Sequence, residues 1–266
     1  MHRLALDHLT AIDTTPIQLV QAARAAGCDG VCLFMEPMDV LPLMPQFDIY
    51  ADSTVRMELR AAMRDLGVTL DLAYPFTLAG RTDIATFATA MECAAELGAG
   101  LINALLYDRD PARRVDRFGQ FCDMAARFGL PVGVEFYPPS QVPSLAAALD
   151  IVEQIGRPGA VGVNVDLLHL MRSGGAPAEL AAAPAGYVLY GQIADGPAQA
   201  PESPDDEASS NRLLCGGGAF DVAGFVQALP INCPLSVEIP RNHAVGIETT
   251  AERVTRAVES VRCALA

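Results

Sequence analysis

Four apolar runs in the second half of the chain each end in a side chain that carries an oxygen donor. They are PVGVEFYP with Glu135, VGVNVDLLHL with Asp166, YVLYGQIAD with Gln192 and PLSVEIP with Glu238. His169 follows Asp166 by three residues. Each residue taken singly also reads as a strand-end cap or a partner for an arginine. Three carboxylates brought to one point, however, repel one another unless a cation holds them. Their oxygens are hard donors, which favours Mg²⁺ or Mn²⁺ and leaves Co²⁺ and Zn²⁺ as alternatives. Such a cation can chelate adjacent oxygens of a hydroxy-carbonyl compound and stabilise the enediolate formed when the α proton leaves. Glu135 and Glu238 would relay the proton as base and acid. A net 1,2 shift isomerises, return to the opposite face epimerises, and loss of a β hydroxyl dehydrates.

Convergence requires strands that all point the same way. Strand alternation puts Gly133 and Glu135 on one face, against Val132, Val134 and Phe136. It does the same for Gly162, Asn164 and Asp166, for Tyr190 and Gln192, and for Ser236 and Glu238. Strand-like runs at 3–9, 30–36, 68–74, 100–107, 131–138, 161–168, 187–195 and 234–240 alternate with helical stretches at 16–26, 53–66, 81–97, 111–128, 142–155, 177–183, 220–229 and 248–265. Glycines follow many of those helices, the usual helix stop. Regular alternation predicts an α/β protein with a parallel sheet and right-handed crossovers. Eight units predict a (β/α)8 TIM barrel, with a doubly wound open sheet as the alternative. No linker or composition break divides residues 1–266, so a single domain is expected. The acidic segment GPAQAPESPDDEASS (196–210) follows the seventh strand and reads either as a lid over the barrel mouth or as a disordered loop.

Composition removes several chemistries. The formal net charge of −14 opposes nucleic acid and anionic membranes. All 18 basic residues other than histidine are arginine, since the chain has no lysine. Schiff-base aldolase chemistry and a P-loop both need one. The seven cysteines form no C-x-x-C pair and read as reduced, mostly buried thiols. No apolar run approaches a bilayer span, and the first residues lack a signal-peptide pattern, so a cytoplasmic protein is expected.

The runs V-E-F-Y, V-D-L-L-H-L-M-R-S-G, Q-I-A-D-G and S-V-E-I-P together resemble the xylose isomerase-like TIM barrel superfamily, which includes sugar phosphate isomerases and epimerases, sugar epimerases and dehydratases of cyclic hydroxy-ketones. The most specific stretch is Asp166, His169, Arg172, Ser173 and Gly174. The resemblance implies that Glu135, Asp166, Gln192 and Glu238 bind one divalent metal and that His169 contacts either substrate or the groups that surround the metal ligands. The run Arg212 to Gly218 is similar to a segment of many members that ends in G-E-G, with Gly217 in place of the glutamate. Gln192 stands where many members have histidine. Ala198 stands where ketose 3-epimerases have arginine.

Further substrate contacts are expected from His8 and Glu36 at the ends of the first two strands, from Arg241 after the eighth, and from Arg212. Asn103 is expected inside the barrel. The function expected is a divalent-metal-dependent isomerase or epimerase of a sugar or related polyhydroxy carbonyl compound. The alternatives are a metal-dependent dehydratase of an inosose- or dehydroshikimate-like ketone and a barrel that binds a small ligand without turnover. An AP endonuclease fails on its need for several histidines and a basic groove, since this chain has four histidines in all. The partner expected is a small molecule, with homo-oligomerisation left open.

Overall fold

The β-branched faces seen in the sequence need a covering layer on one side only, and the chain supplies it by closing its sheet. The computed structural model describes residues 3–266. The strands are β1 (Leu4–Asp7), β2 (Gly30–Phe34), β3 (Thr69–Leu78), β4 (Ile102–Leu106), β5 (Val132–Glu135), β6 (Val161–Asp166), β7 (Val188–Ile193) and β8 (Leu235–Val237). All pair in parallel in sequence order, and β8 returns to β1 to close the barrel. The chain is therefore a single TIM barrel domain, as its alternation predicts.

Ten α-helices lie among the described residues: α1 (Pro16–Ala25), α2 (Ser53–Leu66), α3 (Ala88–Glu96), α4 (Pro111–Arg127), α5 (Leu145–Ile155), α6 (Leu167–Arg172), α7 (Pro177–Ala181), α8 (Pro204–Ser210), α9 (Val222–Ala228) and α10 (Thr250–Ala264). Local chemistry fixes their ends. Thr15 forms a capping box with Gln18 ahead of Pro16, and Thr249 forms one with Glu252. Such caps contribute about 1 kcal/mol each. Gly67 and Gly156 end α2 and α5 in the left-handed conformation.

The core has two layers. Val132, Val134, Val161 and Val163 pack outward under the helices in the main apolar cluster. Ala5, Cys32, Phe34, Leu72, Tyr74 and Tyr190 fill the barrel in a second, smaller cluster. Gly162 lets β6 seat against its neighbour, because a Cβ there would lie 2.4 Å from the Tyr187 carbonyl oxygen.

Two segments differ from the sequence reading. The strand read at 161–168 stops at Asp166, whose side chain accepts the Leu168 N–H at 2.7 Å and starts α6. A helix therefore replaces the strand's last two residues and carries His169. The acidic 196–210 segment is ordered in part as α8. Ser203 caps it, Pro204 occupies its first turn, and Asp205, Asp206 and Glu207 suit its N-terminal dipole.

Candidate active site

The C-terminal ends of the strands open into a cavity of about 480 Å³. Glu135, Gln192, Glu238, His169 and Arg212 line it, and Asp166 is fully buried beside them. Register explains the meeting. Asp166 pairs with Gln192 across β6 and β7, and Glu135 pairs with Asn164 across β5 and β6. The capped start of α6 swings His169 back over the strand ends, leaving its Nε2 3.5 Å from Glu135 Oε1 and 3.7 Å from Asp166 Oδ2. Glu135, Asp166 and His169 each offer a donor atom within 4.8 Å of the others, a spacing that suits a metal ion.

Polar layers below fix these groups. Asn103 donates to Glu135 Oε2 at 2.5 Å, and Asn164 donates to Gln192 Oε1 at 2.6 Å. The Gln192 amide nitrogen donates to Glu238 Oε2.

Arg212 sits at the centre. It donates through Nη1 to Asp166 Oδ2 and through Nη2 to Glu238 Oε1, each at 2.6 Å. Nη1 also reaches the Glu238 carbonyl, and Nε the Ala208 carbonyl. Burial opposes charge on Asp166, but Arg212 and then His169 outweigh it and hold its carboxyl below the usual range. Burial, helped by Asp7, Asp166 and Glu135, pushes Glu238 well above that range despite Arg212.

Sequence reasoning missed Asp7. It ends β1, is fully buried, and accepts from the Tyr74 hydroxyl at 2.5 Å, while its Oδ2 has no partner. Burial raises its pKa against the pull of Tyr74 and the Leu9 N–H. The signal was available, since Asp7 shares a face with Ala5 just as Glu135 does with Gly133. Tyr137, which the sequence leaves open as pocket wall or core, and the 196–210 segment, expected as a lid or a disordered loop, meet at the cavity. The Tyr137 ring packs 4.9 Å from His169, and its hydroxyl bonds Asp205. Asp205, Ala208 and Ser209 close one side of the cavity.

Three expected substrate contacts lie elsewhere. His8 is wholly buried outside the cavity, with Nε2 3.0 Å from the Thr14 carbonyl and Nδ1 accepting the Phe34 N–H. The strand ends at Asp7, two residues short of the run read at 3–9, so Asp7 keeps the barrel-facing position it shares with Ala5 and His8 starts a helical turn that packs away. Glu36 is exposed and does not line the cavity, because β2 stops at Phe34 and the chain turns outward. Arg241 faces Glu248 at 3.6 Å, also outside the cavity.

A family model described as xylose isomerase-like TIM barrel matches residues 20–264. The chain belongs to this family. Solved structures of the xylose isomerase-like barrel agree with the fold. A xylose isomerase-like TIM barrel/4-hydroxyphenylpyruvate dioxygenase fusion protein superposes with a TM-score of 0.80 at 23% identity, over 97% of this chain and 42% of that one. This chain thus spans less than half of the fusion protein. The IOLI protein with a bound zinc atom gives 0.79 at 20% identity, over 99% and 98% of the two chains. The probable 3-DHS dehydratase AsbF of Bacillus anthracis gives 0.72 at 13%, over 98% and 99%. Comparison with curated proteins finds no match. No helix among the described residues is long and apolar enough to cross a membrane.

Proposed function

We propose that this xylose isomerase-like barrel is a divalent-metal-dependent isomerase or epimerase of a sugar or a related polyhydroxy carbonyl compound. The observation that carries the proposal is the meeting of Glu135, Asp166, Gln192, Glu238 and His169 at one end of a cavity of small-molecule size. The IOLI neighbour's zinc supports a divalent ion on this fold.

The side chains present fit such an ion. Asp7, Glu135, Asp166 and Glu238 put four carboxylates around a single guanidinium, an excess of acid over base that a divalent cation would offset. Arg212 engages one oxygen of Asp166 and one of Glu238; the second oxygens accept from the Leu168 N–H and the Gln192 amide, and each keeps a further lone pair. Gln192 turns its nitrogen toward Glu238, and only its oxygen can bind a cation. Rotating the amides of Gln192 and Asn164 together exchanges donor and acceptor and keeps their mutual hydrogen bond. Glu135, Asp166, Gln192 and Glu238 would hold the ion. Manganese or magnesium suits this oxygen-rich set, followed by cobalt or zinc.

When bound, the ion would supply positive charge against the charge developing on a hydroxy-carbonyl substrate as a neighbouring carbon loses its proton. The protein does the rest. Asn103 and His169 aim the Glu135 carboxylate at the cavity as a base, and Glu238 faces it from the β8 side as the second proton carrier. Tyr137 and α8 exclude water from that end.

One observation also favours a dehydratase. His169 stands between two carboxylates, where its imidazole can protonate a departing hydroxyl.

NMR of the metal-supplemented protein in D₂O, with ketoses, inososes and dehydroshikimate, tests both readings. Deuterium without loss of water marks an isomerase or epimerase, and dehydrated product marks the dehydratase. Glu135→Gln and Glu238→Gln should each slow exchange by about 10²-fold or more. A wild-type rate in either variant would overturn the assignment.

A further inference from the structure

We infer that the substrate is neutral and unphosphorylated, and that its non-reacting end is apolar. This rests on the proton-transfer reading above and narrows it. Two features of the cavity carry it: where the cations are, and what faces the carboxylates.

An anionic substrate needs an uncommitted cation or a set of free N–H donors. The chain has no lysine. Among the residues that line the cavity only Arg212 and His169 can carry positive charge. Arg212 makes four hydrogen bonds, two of them to carboxylates, and its side chain is 1% exposed. His169 faces Glu135 and Asp166. Glu135, Asp205 and Glu238 add negative charge to the same lining. A phosphate or carboxylate entering here meets repulsion from the protein's carboxylates and, apart from neutral hydroxyls such as that of Tyr107, no donor to replace its water.

Topology sets the opposite wall. In a closed eight-stranded barrel, β1, β2 and β3 lie across from β5, β6 and β7. Asp7 of β1 does not line the cavity and is tied to Tyr74. The acids that line it come from the ends of β5 and β8 and from Asp205 of α8. Facing them are Phe34 and Tyr74 on β2 and β3, with Met38, Val40 and Leu41 on the loop after β2. A hydroxyl pressed against that wall loses water and gains no partner, whereas a methyl or a C–H ring face gains burial. The substrate therefore presents its hydroxy-carbonyl end to the carboxylates and a methyl, alkyl or ring face to Phe34, Met38 and Leu41.

The test pairs binding with chemistry. Fructose, 6-deoxyfructose and fructose 6-phosphate are offered to the Mn²⁺-supplemented protein in D₂O. Saturation-transfer NMR reads binding and deuterium incorporation reads proton abstraction. The expected order of binding is 6-deoxyfructose, then fructose, with the phosphate ester undetected. Phosphate-ester binding equal to that of fructose, or failure of both neutral sugars to bind, overturns the inference. Neutral sugars that bind in this order without gaining deuterium uphold the substrate class and remove the isomerase reading. Deuterium entering only the phosphate ester does the reverse. Val40→Lys adds a cation at a residue that is 76% exposed, so the fold should tolerate it. It should improve binding of the phosphate ester by about fivefold, the scale of one exposed ion pair, and weaken 6-deoxyfructose. An unchanged preference in this variant also counts against the inference.

Discussion

Nη2 of Arg212 lies 2.6 Å from Oε1 of Glu238, and both residues are buried at the end of the barrel. Two β-strands' worth of acid is thereby tied to one side chain, because Nη1 of the same guanidinium holds Asp166. Removing one partner of a buried ion pair leaves an uncompensated charge, which costs about 3–5 kcal/mol. Arg212→Met should therefore lower stability by about that amount in chelator-treated protein. Mn²⁺ should restore part of the loss, because a ligand bound only by the folded state stabilises it by mass action. Urea unfolding with chelator and with Mn²⁺ measures both effects. A variant as stable as the wild type without metal, and indifferent to it, would remove Arg212 from this role.

The fold was legible because strand and helix periods alternate eight times. The four strand-end donors were legible because each shares a face with a small residue. What was hidden depended on strands that end two residues short of the apolar runs. His8 was expected at the site, but β1 ends at Asp7, so the aspartate faces the barrel and the histidine packs away. Glu36 lies outside the cavity because β2 likewise ends early, at Phe34. Arg212 was placed at the site through its motif alone. Its contact with both Asp166 and Glu238 depends on a loop path that no local pattern encodes.

The glycine run 216–218 shows a motif whose partner lay elsewhere in sequence. The Asp195 carboxylate accepts the N–H groups of Gly196, Gly216, Gly218 and Phe220. A Cβ on Gly218 would lie 2.3 Å from both Asp195 Oδ1 and the Gly196 carbonyl. This buried carboxylate therefore holds the loop that delivers Arg212. Asp195→Ala strands four donors and should destabilise the protein by about 2–4 kcal/mol. Asp195→Asn keeps part of the acceptor capacity and should cost less. Thermal unfolding of the two variants checks the order, and equal stability of Asp195→Ala and wild type would refute it.

Arg172 clamps α8 to the barrel. Its Nε and Nη2 donate to the two oxygens of Glu207 at 2.7 and 2.5 Å, and its guanidinium stacks 5.0 Å over Phe220. Glu207 is buried although it lies in an acidic segment. Glu207→Gln keeps the shape and removes the charge. It should weaken the clamp by about 1–3 kcal/mol, the worth of a charge-assisted hydrogen bond, and raise amide exchange across 204–210 by about tenfold or more. Hydrogen-exchange mass spectrometry reads this directly, with α4 as an internal control. Unaltered exchange in α8 would show that the helix is held by other contacts. A KM increase should accompany the loosening, because Asp205, Ala208 and Ser209 wall the cavity.

His8 sets a pH limit on the fold. Burial lowers its pKa to about 4, against the opposing effect of its hydrogen bond with the Thr14 carbonyl. The unfolded chain takes up a proton near the ordinary value of about 6.5, while the folded chain resists until about 4. Between those values the unfolded state binds more protons, so stability falls as pH drops from about 6.5 toward 4. The contribution present above pH 6.5 is on the order of 3 kcal/mol. Replacing His8 with glutamine removes the titration and keeps a donor for Thr14. The stability difference between wild type and His8→Gln should shift in favour of the variant by about that amount as pH falls through this window. Urea unfolding at pH 7, 6, 5 and 4 measures the difference. The His8 ring proton resonances should show a neutral imidazole down to about pH 4, and titration near 6.5 would contradict its burial against Thr14 and Phe34.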